Sequence, residues 1–502
     1  MFELLDCVLC EDYKTDNEIL KKGIWRNFKK DAKIMPLYLF GTGKACKIFL
    51  KRYSKKIKVK GVFDNSPVKW GTKFEGYEVM NPSEIKDDLN KLILITTTSY
   101  MDDVATQLNE MNFYNYYGLA VLESKRILIK MAAALSNFVL WKLLPVKKNR
   151  LLYSNSFRKY SDSAKAVVDE LIAQNVDCEI LWMNPDPTCE YPKEVTLVKN
   201  DVFSKIIAHS TSKIWVDSFK KELWIKKKKT QKYINTWHGC VSLKKLDFDQ
   251  HDSSERHLER TAYDSSMIDL RISNSGFCTN MYRRAMKYEG EVLECGTPRL
   301  DQCFHKECVP EVREKLKIPK SAKIVLYAPT WRMATKTGFF GVNNLVLDFN
   351  KLRESFKAKY KEEVYVLIKL HPAAKKINIS GSEFIKDVTT WEDVYELLIE
   401  ADVLISDYSS LIFEMGFMNK MVYLFVDDYE QYKKEHGVYM ELQEMPYPYA
   451  FTQDELEECI KENDEERYRE KLQYFNNVVL KVTENGTATE KVVKKIRQYM
   501  GV

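Results

Sequence analysis

Short apolar runs recur along the chain, and most stop at glycine, acidic or hydroxyl residues before a helix-spaced pattern begins. From Leu37 the stretch LYLFGTGKACKIFLKRY reads as an apolar strand, a glycine turn and then apolar positions spaced for one face of a helix. VKGVFDNS, from Val59, predicts a second strand ending in an acid, and KLILITTTS a third that leads into the helical MDDVATQLNEMNF. Strands and helices alternating in this order predict a parallel sheet.

The alternation resumes twice more. At Asn149, NRLLYSNSFRKYSDSAKAVVDELIAQ is strand, polar loop and helix, and CEILWM, KIWVDS, KYINTWHG and LRISNS follow as strands. Near Lys323 a third pattern starts, with KIVLYAPTW, YVLIKLHP, ADVLISDYSS and MVYLFVDD as buried-strand runs that each end in polar residues. The expected fold class is α/β of the GT-B type, with Rossmann-like domains at residues 149–315 and 316–502 facing a cleft, and a small Rossmann-like domain at 1–124 before them. Residues 125–148 form the connection. Its segment KRILIKMAAALSNFVLWKLLP is apolar but interrupted by Lys130, Ser136, Asn137 and Lys142, which argues against a spanning helix and leaves a linker helix or an interfacial one.

Composition narrows the partners. At 502 residues, 45% hydrophobic and 30% charged, the chain has material for several packed cores. Its net charge of +6 is too small for a dedicated nucleic-acid binder, so no nucleic-acid partner is expected. The basic clusters WIKKKK (Trp224 to Lys229) and Leu143 to Arg150 could instead face anionic lipid headgroups or an anionic polymer, or be a solvated surface. The acidic start MFELLDCVLCEDY has no secretory-signal pattern, and the eleven cysteines lack paired spacing; both fit a cytoplasmic protein with reduced thiols. Cys7 with Cys10, and Cys303 with His305 and Cys308, fall short of a closed set of zinc ligands.

Ligands of open parallel sheets bind beyond the carboxyl ends of the strands. His238 after KYINTW, His371 after VLIKL, and Ser409 and Ser410 after VLISDY all stand there. Histidine, with its near-neutral pKa, suits proton transfer at such a place, although a satisfied structural role is the alternative. Where SDYSSLIFEMGF turns from loop to helix, outward N–H groups and the helix dipole suit a phosphate; Ser409 would serve equally as a helix cap. In the N-terminal unit Gly41, Gly43 and Cys46 approximate a dinucleotide-binding turn, and Asp64 stands about 20 residues on, where a ribose hydroxyl would be read. Over Pro36 to Gly118 this unit resembles the small nucleotide-binding domains at the start of sugar acyltransferases and sugar-modifying enzymes; the alternative is a Rossmann-like unit that keeps its turn and binds nothing.

Six blocks in succession carry a second resemblance: NTWHGCVSLKKLD, SNSGFCTNMYRRAM, CGTPRLD, YAPTWR, KLHP and DVLISDYSSLIFEMGFMNKMVYLFVDD. From Asn149 to the C-terminus the chain resembles the CDP-glycerol glycerophosphotransferases, the teichoic acid primases and polymerases. That resemblance implies transfer of a polyol phosphate, glycerol phosphate first, from CDP-glycerol or CDP-ribitol to a hydroxyl of a lipid-linked acceptor or a growing teichoic-acid or capsule-type polymer, releasing CMP. By the same resemblance His238 is the base, with His371 as a second catalytic histidine. Trp237 would orient the base, Gly239 would admit the donor phosphate, and Lys244 and Lys245 would hold anionic substrate. Arg299, Thr330, Arg332, Lys369, Ser409 and Ser410 would line the donor pocket, and Asp407 would orient a loop or a histidine. No DxD-type acidic pair stands out, so neither a metal nor a cofactor beyond the CDP-polyol donor is expected. The protein would sit peripherally on the inner face of the cell membrane. One departure is that the family's TWHGTPLK here carries Cys240, Val241 and Ser242 after the glycine. The competing readings are a GT-B glycosyltransferase with a nucleotide-sugar donor in cell-surface polysaccharide synthesis, and a nucleotide-binding scaffold in which His238 would be dispensable.

Overall fold

The structure is a computed structural model that describes residues 8–10, 24–87, 90–97, 100–120, 140–154, 160–223, 225–251, 253, 255–305, 311–330, 347–370 and 383–502. Arg332, His371 and most of the expected linker lie outside these residues. The chain divides into two compact units, one holding the first sheet and the other the second and third.

The first sheet is built from β1 (Val8–Cys10), β2 (Leu37–Phe40), β3 (Val59–Phe63), β4 (Lys73–Phe74), β5 (Tyr77–Met80), β6 (Leu92–Ile95) and β7 (Tyr116–Ala120). Their order is β1-β7-β6-β2-β3-β5-β4, parallel except where β1 and β4 pair antiparallel with their neighbours. Side chains alternate across a strand, so β6 feeds both faces: Leu92 and Leu94 join a cluster with Cys46, Phe49 and Val62, while Ile93 and Ile95 pack with Phe40, Phe63, Val104 and Leu108. This double burial is why the strand reads as an unbroken apolar run.

The second unit holds two fully parallel sheets. One comprises β8 (Lys147–Ser154), β9 (Glu179–Met183), β10 (Val195–Leu197), β11 (Ser212–Asp217), β12 (Lys232–Asn235), β13 (Leu270–Ser273) and β14 (Glu291–Glu294), in the order β10-β9-β8-β11-β12-β13-β14. The other comprises β15 (Lys323–Tyr327), β16 (Val364–Ile368), β17 (Ile385–Asp387), β18 (Val403–Ser406), β19 (Met421–Phe425) and β20 (Tyr449–Ala450), in the order β17-β16-β15-β18-β19-β20. Chain order reverses between β8 and β11 and again between β15 and β18, and these are the places where an open parallel sheet leaves a crevice.

The closing helix Ala488–Met500 does not follow the domain boundary expected at 316. Its Ala488, Val492, Val493 and Ile496 are buried with Leu151, Val167 and Val216 of the first α/β half. Asp301 anchors its start, since the two carboxylate oxygens accept the N–H groups of Ala488 (3.1 Å) and Thr489 (2.6 Å). The halves are also tied through charge. Arg299 Nη1 donates to Asp162 at 3.0 Å, at the start of the helix Asp162–Ala173, and Nη2 donates to Glu414 at 2.7 Å, in the helix Leu411–Phe417 of the other half. All three side chains are buried.

Replacing Arg299 with Met leaves two buried carboxylates without their cation and is expected to cost about 3–5 kcal/mol of unfolding free energy. Urea unfolding followed by tryptophan fluorescence checks this; an unchanged midpoint would show that the clamp carries no stability.

Candidate active site

Strand ends place the expected groups. β11 stops at Asp217 and β12 at Asn235, with Asp217 and Asn235 paired in register, and the Thr236 N–H donates to the Asp217 carbonyl at 2.9 Å. Trp237 then takes a left-handed backbone, φ 56°, which a bulky side chain adopts only when its surroundings hold it. They do so here. The Trp237 N–H donates to Asn235 Oδ1 at 3.1 Å, the indole is buried, and the Arg271 guanidinium lies 5.6 Å from its ring centre.

This turn swings His238 back over the end of β11. Its Nδ1 lies 3.0 Å from the Ser218 carbonyl, and a carbonyl can only accept, so the proton sits on Nδ1 and the lone pair on Nε2. Nε2 has no hydrogen-bond partner among the described residues. The ring is stacked on Phe219 (centroids 4.0 Å, 13° between planes) and lies 4.1 Å from Trp237. Burial lowers the His238 pKa from 6.5 to about 4; the Ser218 hydrogen bond opposes the shift and nearby Arg299 adds to it. A low pKa alone does not mark a site, because buried His209, with Nδ1 on the Lys205 carbonyl and its ring against Trp215, is pushed to about 3.

Beneath the Trp237–His238 turn lies a buried polar network. Asp217 pairs with Lys221 at 2.5 Å, and Lys220 pairs with Asp247 and donates to Thr261 at 2.8 Å. Asp264 accepts the Lys221 N–H at 2.7 Å and the Tyr233 hydroxyl at 3.1 Å. Desolvation still raises Asp264 to about 6. None of these acids stood out in the sequence, although Asp217 closes the apolar run of β11.

The second half meets this turn from the other side. Cys240 Sγ is 3.5 Å from the Ser410 carbonyl, so the loop after His238 touches the loop of Ser409 and Ser410. Further on, the Lys245 N–H donates to Gly437 O at 3.2 Å and the Tyr439 N–H to Leu243 O at 2.8 Å, a short antiparallel contact between halves. Lys244 is exposed there. Asp407, just past β18, accepts the Thr330 N–H at 2.8 Å, the Thr330 hydroxyl at 2.5 Å and the Tyr408 N–H at 2.6 Å, joining the ends of β15 and β18. Ser409 Oγ accepts the Leu411 N–H at 3.3 Å, and the Ser410 hydroxyl makes no cap bond. Lys369, just past β16, donates to the Thr389 carbonyl at 2.8 Å.

Other expected residues stand differently. Arg299, expected in the donor pocket, is buried between Asp162 and Glu414 and acts as a clamp. In the first unit Asp64 accepts the Thr42 N–H (2.9 Å) and hydroxyl (2.6 Å), the Ser66 N–H (2.9 Å) and Lys69 Nζ (3.2 Å), so a ribose would have to displace the domain's own groups. Gly41 is required by packing, since a Cβ there would lie 2.5 Å from Thr97; Gly43 is not. His305 sets Nε2 2.9 Å from the Gly486 carbonyl.

Because protonation of His238 is disfavoured only in the folded state, the unfolded chain binds more protons between about pH 4 and 6.5. The group's contribution to stability is complete above that window and lost as pH falls through it. Histidine NMR, assigned with His238→Asn, should show its titration midpoint near 4; a midpoint at 6.5 would contradict the burial argument.

A family model described as CDP-glycerol:poly(glycerophosphate) glycerophosphotransferase matches residues 136–498, and one described as C2185-like, N-terminal, matches 33–117. The teichoic acid poly(glycerol phosphate) polymerase of Bacillus subtilis (strain 168) is 26% identical over 383 residues, 72% of this chain and 50% of that protein. The chain therefore spans about half the length of that relative. The teichoic acid glycerol-phosphate transferase of Staphylococcus aureus (strain NCTC 8325 / PS 47) is 27% identical over 391 residues, 73% of this chain and 98% of that protein. The structure of a variant of the wall teichoic acid polymerase TagF soaked with CDPG matches with a TM-score of 0.63 at 25% identity, covering 74% of this chain and 97% of that one. The likeness extends to the GT-B-type pair of sheets.

Proposed function

We propose, because the chain belongs to the CDP-glycerol:poly(glycerophosphate) glycerophosphotransferase family, that it transfers a polyol phosphate from a CDP-activated donor, CDP-glycerol first and CDP-ribitol second, to a hydroxyl of a lipid-linked acceptor or a growing teichoic-acid or capsule-type polymer. One observation carries this reading. His238 presents Nε2 at the carboxyl end of a parallel strand while its Nδ1 is fixed on the Ser218 carbonyl.

In the proposed reaction the acceptor hydroxyl gives its proton to Nε2 and its oxygen attacks the phosphorus that bears the polyol. The bond from that phosphorus to the bridging oxygen breaks, and CMP leaves with the electron pair. Positive groups and N–H donors must meet the growing charge; Thr330, Lys369, Ser409 and Ser410 stand at neighbouring strand ends, and Arg332 and His371 adjoin them in sequence. Before substrate arrives the depressed pKa keeps His238 neutral and ready to accept a proton. The donor's negative charge then favours the imidazolium, so the base strengthens as the site fills. A Cβ on Gly239 would meet nothing nearer than 3.8 Å, so packing does not demand glycine there, which fits a position kept open for a phosphate. The reading includes no metal, since no DxD-type acidic pair stands out in the sequence.

The test is CMP release from CDP-glycerol and CDP-ribitol, with and without a lipid-linked glycerophosphate acceptor and with a chelator present. Acceptor-dependent release from one donor, abolished in His238→Ala while donor binding persists, is the expected result. Unaltered turnover in that variant would remove His238 as the base, and release from neither donor would favour a nucleotide sugar.

Membrane association belongs to the same proposal. The two basic segments adjoin: Lys228 Nζ donates to the Leu144 carbonyl, Lys226 lies 5.9 Å from the Trp141 ring centre, and Leu143 beside them is 74% exposed. Among the described residues no helix is long and apolar enough to cross a membrane. A peripheral position on an anionic leaflet, the inner face of the cell membrane, would use this patch. The protein should sediment with anionic vesicles and detach at high salt; equal binding to neutral vesicles would rule the electrostatic contact out.

A further inference from the structure

We propose that Asp217 and Phe219 are positioning residues of the transfer reaction, holding the imidazole of His238 in the one tautomer and plane that aim its Nε2 lone pair at the acceptor hydroxyl. The inference rests on the reading of His238 as the base and adds how the base is made competent.

Three consecutive residues at the end of β11 do this. Asp217 Oδ1 accepts the Phe219 N–H at 2.9 Å, closing a turn in which the intervening Ser218 carbonyl projects toward His238 Nδ1. The other oxygen, Oδ2, is held by Lys221 at 2.5 Å, with both side chains almost fully buried, so the carboxylate cannot rotate away. Phe219 leaves the same turn with its ring parallel to the imidazole at 4.0 Å, which fixes the plane that the single hydrogen bond would leave free to rock.

The choice of acceptor has a chemical consequence. A carboxylate bonded to Nδ1 would stabilise the imidazolium strongly, whereas a carbonyl fixes the same tautomer with less bias toward the charged form. Asp217 stands one residue from the contact, yet its charge is spent on Lys221 and on the Phe219 N–H. Groups that orient a metal-bound histidine are typically worth 10–100-fold when removed, and the same order of effect is expected for an imidazole held to accept a proton.

Two variant sets in the full-length protein test this. Asp217→Ala with Lys221→Met removes the turn-closing acceptor without stranding a buried lysine, and Asp217→Asn on the same background returns an acceptor for the Phe219 N–H. The alanine version should lower kcat by roughly 10–100-fold with donor KM within about twofold, and the asparagine version should recover much of that loss. Nitrogen-15 histidine spectra should show His238 protonated on Nδ1 in the parent and a tautomer mixture in the alanine version. Phe219→Leu, which keeps the backbone turn, should lower kcat with donor KM little changed, and it remains informative if the double variant does not fold. Parent-like kcat in a folded Phe219→Leu protein, or parent-like kcat and tautomer in the folded alanine version, would overturn the proposal. If the parent itself releases no CMP from either donor, the donor assignment fails, and the tautomer spectra still decide the role of Asp217.

Discussion

A single buried guanidinium holds the two α/β halves of the second unit together. Arg299 reaches from the GTPRLD segment to Asp162 in one α/β half and to Glu414 in the other, and the cost of burying three charges is offset only while all three stay in contact. Much of the site hangs on that joint. Glu414 lies in the helix that Ser409 and Ser410 precede, Asp162 starts the helix after β8, and two residues beyond Arg299 the carboxylate of Asp301 anchors the closing helix. One short segment therefore sets the loop of Ser409 and Ser410, the helix after β8 and the closing helix.

Electrostatics around His238 follow a different rule. The turn of Trp237 and His238 rests on paired lysine and aspartate side chains, Asp217 with Lys221 and Lys220 with Asp247, and nearby charges act on the imidazole less than burial does. Desolvation then dominates, and it disfavours a cation. Burial thus keeps the imidazole neutral, and in the proposed reaction the anionic donor would raise its basicity.

The apolar runs made the strands legible because parallel strands buried on both faces need little else, as Leu92 to Ile95 illustrate by serving two cores at once. His238, Asp407, Ser409 and Ser410 were legible by the same logic, as polar residues just past such runs. What escaped was tertiary. Glu414 reads as a lone acid in the apolar stretch LIFEMGF and Asp162 as an ordinary residue at a helix start, and nothing local reveals that Arg299 joins them across more than a hundred positions of chain. The return of the closing helix to the first half was hidden likewise, since its apolar face would suit either core. Asp64 was placed correctly at a strand end, but its partners Thr42 and Lys69 could not be seen from spacing alone.

The loop that follows His238 lacks the Thr-Pro usual at that point and carries Cys240 and Val241 instead. Here its conformation is set from outside, by backbone pairing of Leu243 and Lys245 with Tyr439 and Gly437 in the opposite half. His238 is thus mechanically coupled to the half that carries Asp407, Ser409 and Ser410. Any separation of the two halves must either break those bonds or drag the loop along, so parting of the halves and displacement of His238 become one movement.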